Sequence, residues 1–267
     1  MNIYRREVNN RLKSALIWSI SIFLLILLFM SFYSGFAADE TIWEIVLENY
    51  PEELLQAMGM TGVNMATVIG YFTMCMLFTQ ICLAVQASQY GFSILSEEER
   101  EMTADFLLTK PITRSKVFFS KLAAALTGLV ITNAVVWGTT FFCISVFSDG
   151  HEYNPTMFVK MLSVLILFQL FFLGVGMVIS VSVKKIKSVL SFSMGLAFGM
   201  YIISTIGSLL GENTISYITP FKYFEPNTLV LEGKYDPVMI IICTVTIAVT
   251  MVAGYILYNK RNIRAVS

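Results

Sequence analysis

The sequence predicts an all-α, polytopic membrane protein: six transmembrane helices with both termini cytoplasmic, in a single domain over residues 1–267. Three observations carry this. Six runs hold no Asp, Glu, Lys, Arg or His, at about 15–36, 63–87, 122–147, 161–183, 188–210 and 238–258. Each matches the ~20 residues of helix that cross a hydrocarbon core ~30 Å thick. Charged residues are only 13% of the chain and mean hydropathy is +0.72, against about 25% charge in soluble domains. Finally, every one of the 18 Lys and Arg except Lys160, Lys222 and Lys234 falls in 1–14, 88–121, 184–187 or 259–267. Alternation of the spans puts those four segments on one side, and the bias of basic loops makes that side cytoplasmic.

Residues 1–14, MNIYRREVNNRLKS, read as an amphipathic interfacial helix. Tyr4, Val8, Leu12 and Ala15 recur at helical spacing, and Arg5, Arg6, Arg11 and Lys13 can meet anionic headgroups. The segment is either a plain basic flank or, in addition, a contact for a cytoplasmic partner. Span one resembles a secretory signal in its basic flank and in the GFA ending at Ala37. Its apolar run exceeds the roughly 7–15 residues of a signal core, so it is read as a permanent helix.

The first external loop, 37–62, places Ile42, Trp43, Val46, Leu47, Tyr50 and Leu54 on one side of a helical wheel and Glu44, Glu48 and Glu52 on the other. Pro51 divides it into two short helices, because proline starts a helix better than it continues one. The acidic face is read as solvated in preference to a binding face for a cationic substrate. Residues 148–160 make a short external turn with the single histidine, His151, in no catalytic constellation. The KKIK turn at 184–187 predicts an antiparallel hairpin of spans four and five. In 211–237, Tyr217, Phe221, Tyr223 and Phe224 suit an interfacial aromatic belt, or a short re-entrant or surface helix.

Inside the spans the polar residues are Asn64, Gln80, Gln86, Asn133 and Gln169. Amides there bond between helices or line a polar pathway, and packing is the commoner use. Gly195 and Gly199 form a GxxxG pair that permits close helix approach. Cys75, Cys82, Cys143 and Cys243 all fall within spans, in no disulfide or zinc pattern. The chain carries no GxxxxGK[ST] loop, no GxSxG and no HExxH, so no enzymatic site and no cofactor is expected in it. Ion-coupled carriers keep ionisable groups within the membrane, and this chain has none in its runs.

The densest charge lies at 96–116, SEEEREMTADFLLTKPITRSK. Ser96 followed by Glu99 has the form of a capping box, with Glu97, Glu98 and Glu99 in the first turn of a new helix. Lys110-Pro111 ends that helix, and Thr113 caps the next, with Lys116 and Lys121 at the cytoplasmic edge of span three.

This loop resembles the cytoplasmic loop of type 2 ABC exporter permeases: an acidic run (Glu97, Glu98, Glu99, Glu101), Thr103, Phe106-Leu107-Leu108, Pro111, Thr113-Arg114, and Lys121 opening the next span. Arg5-Arg6-Glu7 with Trp18, and PFKYFEP at 220–226, are similar to the same family. Met102 departs from the small residue expected before the Thr. The resemblance implies a half-transporter: a six-helix ABC permease subunit, non-catalytic, that exports a peptide, drug or lipid-like substrate. It would pair with a second permease chain, identical or related, in a lipid bilayer, most simply a bacterial cytoplasmic membrane. ABC ATP-binding subunits would hold ATP and Mg in the partner. Glu97, Glu98, Glu99, Glu101, Thr103, Phe106, Leu107, Pro111 and Arg114 would form the ATPase-coupling interface on a cytoplasmic coupling helix. No nucleic-acid partner is expected. The alternatives are a stand-alone secondary carrier and a non-transporting membrane scaffold or immunity protein.

Overall fold

Backbone amides cannot stay unpaired in hydrocarbon, so charge-free runs of this length close their hydrogen bonds within themselves as helices. The computed structural model describes residues 3–37, 40–100, 113–148, 150–151, 153–183, 186–210 and 217–260, with 36–37, 40 and 95–100 as backbone only. Among them there is no strand. The elements are α1 (Ile3–Phe32, closing in a π turn at Tyr33–Ala37), α2 (Glu40–Asn49), α3 (Glu52–Ala57) and α4 (Val68–Arg100). They continue with α5 (Arg114–Phe147), α6 (Pro155–Ser163), α7 (Leu165–Ser182), α8 (Val189–Leu210), α9 (Pro220–Tyr223), α10 (Pro226–Glu232) and α11 (Pro237–Lys260). Six helical stretches are long and apolar enough to cross a membrane: α1, α4, α5, α6 with α7, α8 and α11.

The helices overrun the charge-free runs, mostly at the basic end. Residues 3–14 are helical as expected, yet they continue into span one without a break and are not a separate interfacial element. Likewise, α4 begins at Val68, leaving Asn64 in the preceding turn, and runs unbroken through Arg100. The helix start expected at Ser96 is therefore corrected: residues 96–100 are the end of α4. Hydropathy marks where lipid begins, whereas backbone hydrogen bonding carries a helix past that boundary. At 33 and 34 residues, α4 and α5 are each about 50 Å long, some 20 Å more than the hydrocarbon core needs.

The centre of the bundle is the pair α4 and α7, packed along their length, with α8 on the far side of α4 and α11 against α7. α1 lies along α5 and also touches α4. Its inner stripe is Arg11, Ala15, Ser19, Ile22, Ile26 and Met30, while Leu16, Ile17, Ile20, Leu24 and Leu28 are exposed. An apolar outer face inverts the pattern of a soluble helix and suits lipid. The expected hairpin of spans four and five is corrected as well: α8 packs chiefly on α4 and meets α7 little, because α7 is already covered by α4 and α11.

The α4–α7 contact is close because the facing residues are small. A Cβ built at Gly91 would lie 2.3 Å from the Leu173 carbonyl oxygen, and one at Gly176 would lie 3.0 Å from that of Ser88. At Gly195 and Gly199 nothing lies within 4 Å, so this GxxxG pair joins no helices within the chain.

At the end away from the basic segments, Pro51 separates α2 from α3 as expected and stands at the N-cap of α3. Asn154 caps α6, its side chain accepting from the Thr156 amide. α9 and α10 turn inward. Phe221, Tyr223 and Phe224 are buried, with Phe221 edge-on to Phe168, Phe172 and Tyr201. The belt expectation is overturned for these three, and the re-entrant one describes them; Tyr217 alone is exposed.

Candidate functional site

The basic end gathers the ends of α1, α4, α5 and α11, and cationic side chains tie them together. Arg11 is buried, at 6% exposure. It donates through Nη1 to Ser93 Oγ at 2.8 Å, with its guanidinium 5.4 Å from the Tyr90 ring centre. These contacts fasten α1 to α4. The inward turn of Arg11 corrects the expectation that it meets headgroups; Arg5, Arg6 and Lys13 remain exposed. Lys121 is 2% exposed and donates to the Ile94 carbonyl at 3.1 Å, fastening α5 to α4. It therefore faces a neighbouring helix, not solvent or lipid. A burial of this depth is tolerable for an ammonium only when it is hydrogen-bonded.

Arg114, in the first turn of α5, donates to the Asn259 carbonyl of α11 at 3.4 Å. Beside it, Ser115 and Tyr255 share a 3.0 Å hydrogen bond. Phe118 packs on Tyr255 and Tyr258, with ring centres 5.4 and 5.3 Å away. Thr113 holds the N-cap position as expected, though its hydroxyl makes no capping bond. Of the sequence-derived interface, Glu97, Glu98 and Glu99 are placed on the last turn of α4 by their backbone. Glu101, Thr103, Phe106, Leu107 and Pro111 lie outside the described residues. The segment 96–116 thus joins two helices that are each clamped to the rest of the bundle.

The second polar feature is internal. Gln86 of α4 donates to Thr132 Oγ1 of α5 at 2.7 Å and accepts from Gln169 of α7 at 3.4 Å. Asn133 donates to Gln169 Oε1 and to the Leu129 carbonyl at 2.9 Å. Gln86 and Gln169 are fully buried. In a medium without water these amides find their partners in one another, joining three helices. Gln80 does something different: it donates to the Phe224 carbonyl at 2.9 Å and holds the inward-turning segment. Asn64 is local, with its Oδ1 accepting from the Ala66 amide at 2.9 Å.

Sequence reading passed over Arg11 and Lys121 as buried ties, since a basic residue at a span edge looks the same whether it faces lipid or a neighbour. It also missed Ser88, Gly91 and Gly176, whose spacing carries no recognisable motif. Among the described residues no cluster of His, Cys, Asp or Glu is suited to a metal ion.

No curated protein matches the sequence closely. The family model for the ABC-2 family transporter protein, in contrast, matches residues 1–263. That match covers all six membrane-crossing stretches and the loop between the second and third, and the chain belongs to the ABC-2 transporter family as a multi-pass membrane permease.

Proposed function

We propose that this permease is the membrane half of an ATP-driven exporter and that its 96–116 segment takes up work from separate ATP-binding subunits. The family associates with ABC ATP-binding subunits and its permeases are normally non-catalytic. One observation supports the placement. The two longest helices exceed the hydrocarbon core by about 20 Å, and their excess lies at the same end and carries the two ends of 96–116. Two permease chains, identical or related, would pair in a bacterial cytoplasmic membrane with two ATP-binding subunits that carry ATP and Mg. Closure of the ATPase pair pushes on the segment. Because Arg11, Lys121 and Arg114 tie α1, α5 and α11 to its flanking helices, the push moves helices together and shifts the bundle between two access states. Such coupling requires contacts that differ between the states. The substrate is a peptide, drug or lipid-like compound.

The test is the ATP turnover of the chain reconstituted with the ATP-binding subunit that copurifies with it. Reversal of Glu98 and Glu99 to Lys is expected to abolish transport-stimulated turnover while the chain still inserts. Unchanged turnover in that variant overturns the coupling role.

A further inference from the structure

Close packing divides the bundle in two. α1 and α5 lie along each other, while α4, α7 and α11 form a stack that carries α8 on α4; the pair meets the stack more lightly than either is packed within itself. Inside the stack the helices interlock. Gly91 and Gly176 face backbone carbonyls across α4 and α7, and a Cβ at Gly174 of α7 would lie 2.3 Å from Thr250 Oγ1 of α11. Helices seated this closely collide if they slide. Gly128 of α5, at the boundary, faces the Tyr90 ring and not backbone.

The boundary between pair and stack is rich in side-chain hydrogen bonds along its length. Trp18 Nε1 donates to Gln89 Oε1 at 2.9 Å, Gln86 to Thr132 at 2.7 Å, and Asn133 to Gln169. Polar bonds occur inside the stack too, as from Ser180 to the Phe92 carbonyl at 2.8 Å, but there they accompany interlocked helices. Interhelical hydrogen bonds in a bilayer are individually weak, because each group finds other partners when helices part. The crossing bonds are also graded. Charged donors, whose bonds are the stronger, sit at the basic end: Arg11 on Ser93, Lys121 on the Ile94 carbonyl and Arg114 on the Asn259 carbonyl. Toward the other end the crossing is made by rings, Phe29 on Phe78 at 5.3 Å and Tyr33 on Tyr71 at 5.5 Å. The Tyr33 hydroxyl adds a bond to the Ala66 carbonyl at 3.0 Å.

We propose that α1 and α5 move as one body against α4, α7, α8 and α11, turning about the charged ties at the basic end so that the opposite ends part. The 96–116 segment leaves α4 and enters α5, so it joins the two bodies and is the strap through which a force crosses the boundary. The coupling reading supplies only the source of that force; the division into two bodies is a property of the chain itself.

The experiment uses the full chain in phosphatidylcholine nanodiscs, without any ATP-binding chain, so its outcome is separate from that of the coupling reading. Nitroxide labels are attached in pairs to cysteines placed at exposed positions, with the half-buried Cys82 replaced by Ala, and their separations are read by pulsed electron spin resonance. Leu28→Cys with Val238→Cys crosses the boundary at the far end, and Leu12→Cys with Leu257→Cys crosses it at the basic end. Leu28→Cys with Val146→Cys stays within the first body, and Leu209→Cys with Val238→Cys within the second. The boundary is loosened by Asn133→Leu with Gln169→Leu, which removes both partners of one crossing bond, or by the milder Trp18→Phe. The far-end crossing distance is expected to shift or broaden by about 2–5 Å, and the basic-end crossing distance less. Both distances within a body should keep the parent distribution. A far-end crossing distance unchanged in both variants overturns the proposal. So does equal broadening within the bodies, or a larger change at the basic end than at the far end.

Discussion

Replacing Gly91 by Ala tests the packing at the centre of the bundle. The added methyl would lie 2.3 Å from the Leu173 carbonyl oxygen and 2.9 Å from the Met177 amide nitrogen. Ordinary carbon–oxygen contacts are about 3.3–3.6 Å, so α4 and α7 must separate by about 1 Å. Both clashing atoms are backbone, and no side-chain rotation relieves them. A gap of that size forfeits a quarter to a half of each dispersion contact across it. A buried side chain of leucine size makes about 50 contacts of about 0.15 kcal/mol. Loosening one side chain's worth therefore costs about 2–4 kcal/mol, in the upper part of the usual range of about 1–3 for overpacking or just beyond it. The assay is unfolding of the chain in mild detergent, followed by tryptophan fluorescence. Gly195→Ala is the control: nothing lies within 4 Å of its Cβ position, and its stability should stay within about 0.5 kcal/mol of the parent. Equal stability of Gly91→Ala and the parent would refute the close approach of α4 and α7, as would a larger loss at Gly195.

Two further outcomes concern the inward-turning segment. Gln80→Leu leaves the Phe224 carbonyl without its 2.9 Å donor, at a cost of about 1–3 kcal/mol. Trypsin cleavage after Lys222 or Lys234 should accelerate roughly tenfold if opening tracks population, and an unchanged cleavage rate refutes the anchoring role. Burial pushes the Tyr235 phenol well above its ordinary value and the Tyr223 phenol up to about 12, also chiefly through burial. The fold thus favours the neutral phenols, so their contribution is complete below about pH 10, where unfolded tyrosine titrates, and is lost as pH rises above it. Tyr235 Oη has no hydrogen-bond partner among the described residues, so Tyr235→Phe should match or exceed the parent at neutral pH. Near pH 11 it should lose less stability than the parent, with Tyr223 supplying the remainder. Thermal midpoints across that range check both signs.

Six spans, an all-α architecture and the division at Pro51 were legible in the sequence because lipid imposes a local rule. A span must be free of charge and mostly apolar, and every backbone group must bond within its own helix, so the pattern needs no knowledge of neighbours. The residue types of 96–116 pointed to the family for the same kind of reason, as a pattern within a short stretch, and the family match over residues 1–263 bears that out, whereas the helix start expected at Ser96 did not hold. The tertiary structure alone decided which helices touch. It set α8 against α4 in place of α7, drew Arg11 and Lys121 inward, and used Gly91 and Gly176 for close contact while leaving Gly195 and Gly199 open. It also joined Gln86, Asn133 and Gln169 across three helices. In a bilayer all outer faces are apolar, so hydropathy cannot tell a lipid-facing stripe from a packed one. That choice is made by shape and by the few polar groups that must find each other, and their partners are distant in the chain.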